Sequence, residues 1–158
     1  GLMEEALLKE QLLKHLKGGE AFTPVSELLD KISFKKSGKR PLGLPYSFYE
    51  VFYHMVYAQK DILDFCIAEE YNTPSWPKDY WPGSNTAATK EEWQALQQQF
   101  YTDQEALREF IDTTDLSLLD TPKNGKEQTI VRELALVLEH NAYHTGQLAI
   151  ILRLLGLL

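Results

Sequence analysis

The sequence predicts an all-α fold, and within it a four-helix bundle with a long overhand connection between the second and third helices. Three observations carry that expectation. Four long segments repeat apolar residues at three-to-four spacing, no run alternates apolar and polar residues as a half-buried strand would, and the one long connection contains three prolines. Four amphipathic helices in one domain pack most simply as a bundle whose sites lie between facing helices.

The first helix is expected over about Glu4 to Lys17, with Leu8, Leu12 and Leu16 on one stripe and Gly18-Gly19 as its stop. His15 falls in its last turn, where the helix dipole favours a cation. A short amphipathic stretch follows from Pro24 to Ile32, then a loop from Ser33 to Pro45. The second long helix spans about Tyr46 to Glu69, carrying Phe48, Val51, Phe52, Met55, Ile62 and Cys66 at helical spacing. Asn72 to Asn85 is too rich in proline to be helical throughout. The third helix opens on the capping pair Thr89 and Glu92 and carries Trp93, Leu96, Phe100, Leu107 and Phe110. The fourth runs from about Thr129 to Leu155, with Gly156 as its C-terminal stop. The connection of about 20 residues after the second helix reaches roughly 66 Å when extended, against roughly 35 Å for that helix. It is long enough to cross the bundle and let the second and third helices run parallel.

A length of 158 residues fits a single domain, 1–158, with enough core to need no disulfide or structural metal. Gly1, ahead of Leu2 and Met3, reads as a cloning remnant, with Met3 as the start. The net charge of −7 and pI near 5.1 argue against a nucleic-acid partner. Cys66 is the only cysteine and no secretory signal pattern opens the chain, so a cytoplasmic setting is expected. No apolar run approaches the roughly 20 residues needed to span a bilayer, and no membrane partner is expected.

The chemistry concentrates in Glu139-His140-Asn141-Ala142-Tyr143-His144-Thr145-Gly146-Gln147. At about 100° per residue, His140 and His144 lie about 40° apart on the side of Val137 and Ile151. His54 occupies the matching edge of the second helix, in an arc with Val51 and Ala58. Read singly, each is a core or boundary imidazole bonded to a carbonyl. Read together, three buried imidazoles are costly unless one divalent cation holds all three. Three neutral nitrogens at about 2.1 Å would leave coordination positions open for water and substrate, the arrangement of a catalytic site rather than a structural one.

A mid-helix histidine, a long connection and a closing helix reading His-Asn-Ala-Tyr-His-Thr-Gly-Gln-Leu, ending at Leu155-Gly156, resemble the DinB-like (DinB/YfiT) superfamily over essentially the whole chain. The resemblance implies an overhand four-helix bundle, often a homodimer, with a divalent metal such as nickel, zinc or iron held by His54, His140 and His144. It also implies thiol-dependent chemistry, such as transfer of a low-molecular-weight thiol of the bacillithiol type to a small electrophile. Coordination lowers a thiol's pKa, so a thiol substrate suits such a site. Metal-dependent hydrolysis is an alternative, with the metal activating a water. A non-catalytic metal-binding or stress-response bundle is another, and no general acid or base is identifiable from spacing.

Around the triad, Gln147 is placed either to orient a ligand or a bound water or, equally, to make local contacts as a boundary glutamine. Gly146, unfavourable inside a helix by roughly 1 kcal/mol, suggests close approach of a neighbouring helix. Asp61, two turns after His54, reads first as a solvated helix residue and second as an outer partner of the site, and Cys66 reads as a small core residue. Trp76, Tyr80 and Trp81 read first as anchors of a long loop, second as a wall over the bundle mouth. Lys31, Lys35, Lys36, Lys39 and Arg40 read as a solvated loop, or as a patch drawing an anionic thiol.

Overall fold

Ser47, Thr89 and Thr129 start the three longest helices in the same way. Each hydroxyl accepts the backbone N–H three residues on, from Glu50 at 3.2 Å, Glu92 at 3.1 Å and Arg132 at 3.2 Å. These bonds satisfy N–H groups that a helix start otherwise leaves without partners. Glu50 also reaches back to the Ser47 N–H at 3.0 Å, completing a capping box.

The structure, a computed structural model describing residues 1–158, is all-helical. Its helices are α1 (Leu2–Leu16), α2 (Val25–Leu29), α3 (Phe34–Ser37), α4 (Phe48–Ile67), α5 (Lys90–Thr113) and α6 (Ile130–Leu154). The four long helices fall where periodicity put them. The expected loop after Ile32 is more ordered than expected. Ser33 caps the short α3 by accepting from the Lys36 N–H, and a single 3₁₀ turn follows at Pro41–Gly43. No helix is long and apolar enough to cross a membrane.

Helix α4 is central, packing against both α5 and α6. Phe48 and Phe52 meet Trp93, and Gln59 meets Phe100, so α4 and α5 pair start to start. Against α6 the order reverses. Asn124, just ahead of α6, donates to the Asp64 and Ala68 carbonyls at the end of α4, while Tyr46, just ahead of α4, lies beside Gln147.

The apolar interior forms two clusters. One is aromatic-rich and joins Phe48, Phe52, Trp93 and Phe100 to Leu148 and Ile151. The other is mainly aliphatic, built from Leu63, Leu107, Ile111, Ile130, Leu134 and Val137. Fully burying side chains of this size contributes about 1.5–3 kcal/mol each. Between the clusters α4 and α6 present polar groups: Gln59, Asn141 and the histidines.

Gly146 corrects one expectation. It faces outward, and a Cβ there would meet nothing within 4 Å, so no helix of this chain approaches it closely.

Candidate metal centre

His54 is only 2 % exposed in the middle of α4, facing the turn of α6 that carries His140 and His144. The three rings converge through the same atom. His140 Nε2 lies 3.0 Å from His54 Nε2 and 3.1 Å from His144 Nε2. Ligand atoms of all three lie within 4.8 Å of one another, a group able to hold a metal ion.

The other ring nitrogens of two of them are occupied. His54 Nδ1–H donates to the Tyr80 carbonyl at 3.1 Å, and His144 Nδ1–H donates to Gln147 Oε1 at 2.7 Å. Both partners are acceptors, so both Nδ1 atoms carry the hydrogen and both Nε2 lone pairs point inward. A hydrogen on His140 Nε2 aims at one of these lone pairs and leaves the other facing nitrogen. A cation removes the conflict. Nitrogens about 2.05 Å from a shared ion stand about 2.9 Å apart at octahedral angles and about 3.3 Å at tetrahedral ones, and the separations of 3.0 and 3.1 Å lie between. The residues therefore fit a divalent cation.

Electrostatics point the same way. Burial pushes the imidazolium pKa of His54 down to about 4 and that of His140 down to about 3, the neighbouring histidines adding to the effect. Burial also lowers His144, against the opposing effect of the hydrogen bond it donates to Gln147. All three rings are thus neutral near pH 7, the form that ligates a metal.

The triad opens into a cavity of about 690 Å³, within the size range of small-molecule sites. Ala58, Ile62 and Leu136 supply apolar walls, and the proline-rich connection folds over them. Trp81 stacks on His54, with ring centroids 4.0 Å apart and planes 4° from parallel. Trp76 and Tyr80 also line the cavity, so these aromatics form the wall over the bundle mouth, and Tyr80 anchors the connection to α4 as well.

Asp61 corrects a second expectation. It lines the cavity and accepts the hydroxyls of Tyr71 and Tyr80 at 2.5 Å each. Burial, followed by the bond to Asp61, raises both tyrosine pKa values and keeps the hydroxyls protonated as donors. Asp61 thereby pins Tyr80, whose carbonyl orients His54. No local pattern announced this, because Tyr80 lies 26 residues from His54 and reaches it through the backbone.

The basic cluster lies apart from the site. Arg40 is committed to Glu50 through two bonds of 2.8 Å, and no lysine or arginine lines the cavity. Cys66 is buried in the core as expected, its thiol pKa pushed up to about 12 by burial.

Comparison with known proteins returns one family. A family model described as the DinB superfamily matches residues 21–148, a stretch containing all three histidines and Gln147. No curated protein and no solved structure matches the chain.

Proposed function

The chain belongs to the DinB superfamily, and from that premise we propose that it is a divalent-metal-dependent enzyme acting on a small organic substrate, a thiol transferase by preference. His54, His140 and His144 are the proposed ligands of nickel, zinc or iron, in a single-domain, four-helix bundle with an overhand connection. One observation carries the reading: three neutral imidazoles converge through Nε2, two of them with Nδ1 committed elsewhere, at the wall of a cavity of about 690 Å³.

The roles of the chain's own residues follow. The Tyr80 carbonyl and Gln147 hold His54 and His144 in the tautomer that presents Nε2, as partners of metal-binding histidines commonly do. Trp81 covers one face of His54 and keeps water from it. The apolar walls lower the local dielectric, which strengthens every charge interaction made there. A bound divalent cation would lower the pKa of a coordinating thiol enough to make the thiolate available near neutral pH. The cytoplasm, with its reducing thiols, is the proposed setting. A homodimer is proposed as the assembly, for which exposed Ile150 and Leu154 on α6 offer apolar surface.

Metal analysis of protein purified without chelator or histidine tag tests the reading. Stoichiometric metal is expected in the wild type and its loss in His54→Ala and His144→Ala. Absence of metal from the wild type, with both variants unchanged in stability, would overturn it. A screen of low-molecular-weight thiols with electrophiles on metal-reconstituted protein, scored against the triple-histidine variant, then separates an enzyme from a non-catalytic metal-binding bundle. Sedimentation at several concentrations checks the dimer.

A further inference from the structure

The far end of the cavity is acidic, and its distance from the triad is set by helix geometry. Asp61 follows His54 by seven residues on α4, and Glu133 precedes His140 by seven on α6. Because the two helices run antiparallel, both carboxylates are displaced toward the same end of the cavity, each by about 10.5 Å of helix rise. Both line the cavity, as the histidines do; the walls between carry the apolar Ala58, Ile62 and Leu136, and a third carboxylate, Glu139, lines the cavity next to His140 in the chain.

Neither carboxylate is paired with a cation that lines the cavity. Asp61 is bonded by two tyrosine hydroxyls, which are neutral donors. Glu133 has one oxygen held by Arg132 Nη1 at 2.6 Å, but Arg132 approaches from outside the cavity, its side chain 56 % exposed against 6 % for Glu133. No lysine or arginine lines the cavity, whereas Trp76, Tyr80 and Tyr143 place aromatic rings on it. Carboxylates beside aromatic rings attract a cation by charge and by the ring quadrupole together. The same surface repels a carboxylate or phosphate.

We propose that the cavity takes an elongated small molecule with a metal-binding donor, such as a thiol, at one end and an ammonium group about 10 Å away, between Asp61 and Glu133 and against the aromatic wall. The inference rests on the reading of the triad as a metal centre and adds the charge and length of its substrate. It also replaces the basic loop as the steering element: the lining of the cavity selects a cationic tail.

The test uses three six-carbon thiols that differ only in the group at the far end: aminohexanethiol, mercaptohexanol and mercaptohexanoate. Each is titrated calorimetrically into zinc-loaded protein whose metal content has been measured first. The amine is expected to bind about tenfold tighter than the alcohol, with the carboxylate weakest. Cysteamine, too short to reach Asp61 and Glu133, is expected to lose most of the advantage, keeping only what Glu139 contributes. Asp61→Asn and Glu133→Gln should each narrow the gap between amine and alcohol. The wild-type series decides the matter even where a variant folds poorly. Equal affinities, or the reverse order, on protein holding stoichiometric zinc would overturn this inference and leave the metal centre standing. Failure to hold zinc, nickel or iron would instead overturn the metal centre. The acidic end would then stand or fall on whether the amine still outbinds the alcohol on metal-free protein.

Discussion

Gln59 with Asn141, and His54 with His140 and His144, interrupt the apolar interface of the same two helices within about two turns of each other. The amide pair closes on itself. Gln59 Nε2 donates to the Phe100 carbonyl at 2.9 Å, Asn141 Nδ2 donates to Gln59 Oε1 at 3.3 Å, and both residues are buried. Donors and acceptors match there, so nothing further is required. His54 and His144 are also buried and His140 is partly so, yet their inward atoms are three nitrogens with lone pairs to share. A buried polar group must find a partner, and a set made of acceptors finds one only in a cation or a proton. The difference in donor inventory, rather than in burial, marks one polar interruption as structural and the other as able to hold a metal ion.

Acid should separate the two most widely. The folded pKa values of His54 and His140, about 4 and about 3, lie below the ordinary value of 6.5, so between those limits the unfolded chain binds more protons than the folded one. The stability these rings contribute is fully present above pH 6.5 and is lost as pH falls through 4 toward 3. Denaturant unfolding of metal-free protein across that range should show the decline, and His140→Gln should flatten it. A slope unchanged by the substitution would assign the acid sensitivity to other groups. The amide pair, which does not titrate, should contribute none of it.

Gln59→Ala comes next. It leaves Asn141 and the Phe100 carbonyl without their partner and opens a void, a loss of about 2–4 kcal/mol in unfolding free energy with metal content unchanged. Metal loss alongside the destabilisation would show that the two polar bands are not independent. Gln147→Ala should do the converse, weakening metal affinity about 10–100-fold while the metal-free protein melts as before. Competition against a chelator of known affinity measures it, and unchanged affinity would remove Gln147 from any orienting role.

The smallest effect concerns the outward face of α6. Gly146→Ala places a Cβ in open space, and alanine is the better helix former, so a gain of about 0.5–1 kcal/mol is expected with the metal centre untouched. Destabilisation instead would mean that a second molecule packs closely on this face.

The parts of the molecule differed in how readable they were. Thr89 and Glu92 marked the start of α5, with one departure: the Glu92 carboxylate accepts from the Ala88 N–H rather than from Thr89. Ser47 and Glu50 carry the same signal, but the prolines and aromatics around Tyr46 masked it. His54 was legible as a polar residue on a buried edge, and His140 and His144 as a pair one turn apart, because helix periodicity converts spacing directly into direction. Asp61 was misread as solvated because its partners, Tyr71 and Tyr80, come from a connection with no periodicity. Gly146 was misread because a helical glycine signals an open face as well as a crowded one, and only neighbours tell the two apart.

By itself the sequence determined the four long helices, the Thr89 cap, the buried stripes and the three imidazoles on them. These depend on residues a few positions apart, where covalent geometry leaves little freedom. Tertiary structure decided what the stripes meet: that three Nε2 atoms converge, that the Tyr80 carbonyl and Trp81 hold His54, and that the cavity beside the triad ends in carboxylates rather than lysines. Those outcomes depend on the path of a long irregular connection and on the antiparallel register of α4 with α6. Both are set by packing summed over the whole core, which no short stretch of sequence contains.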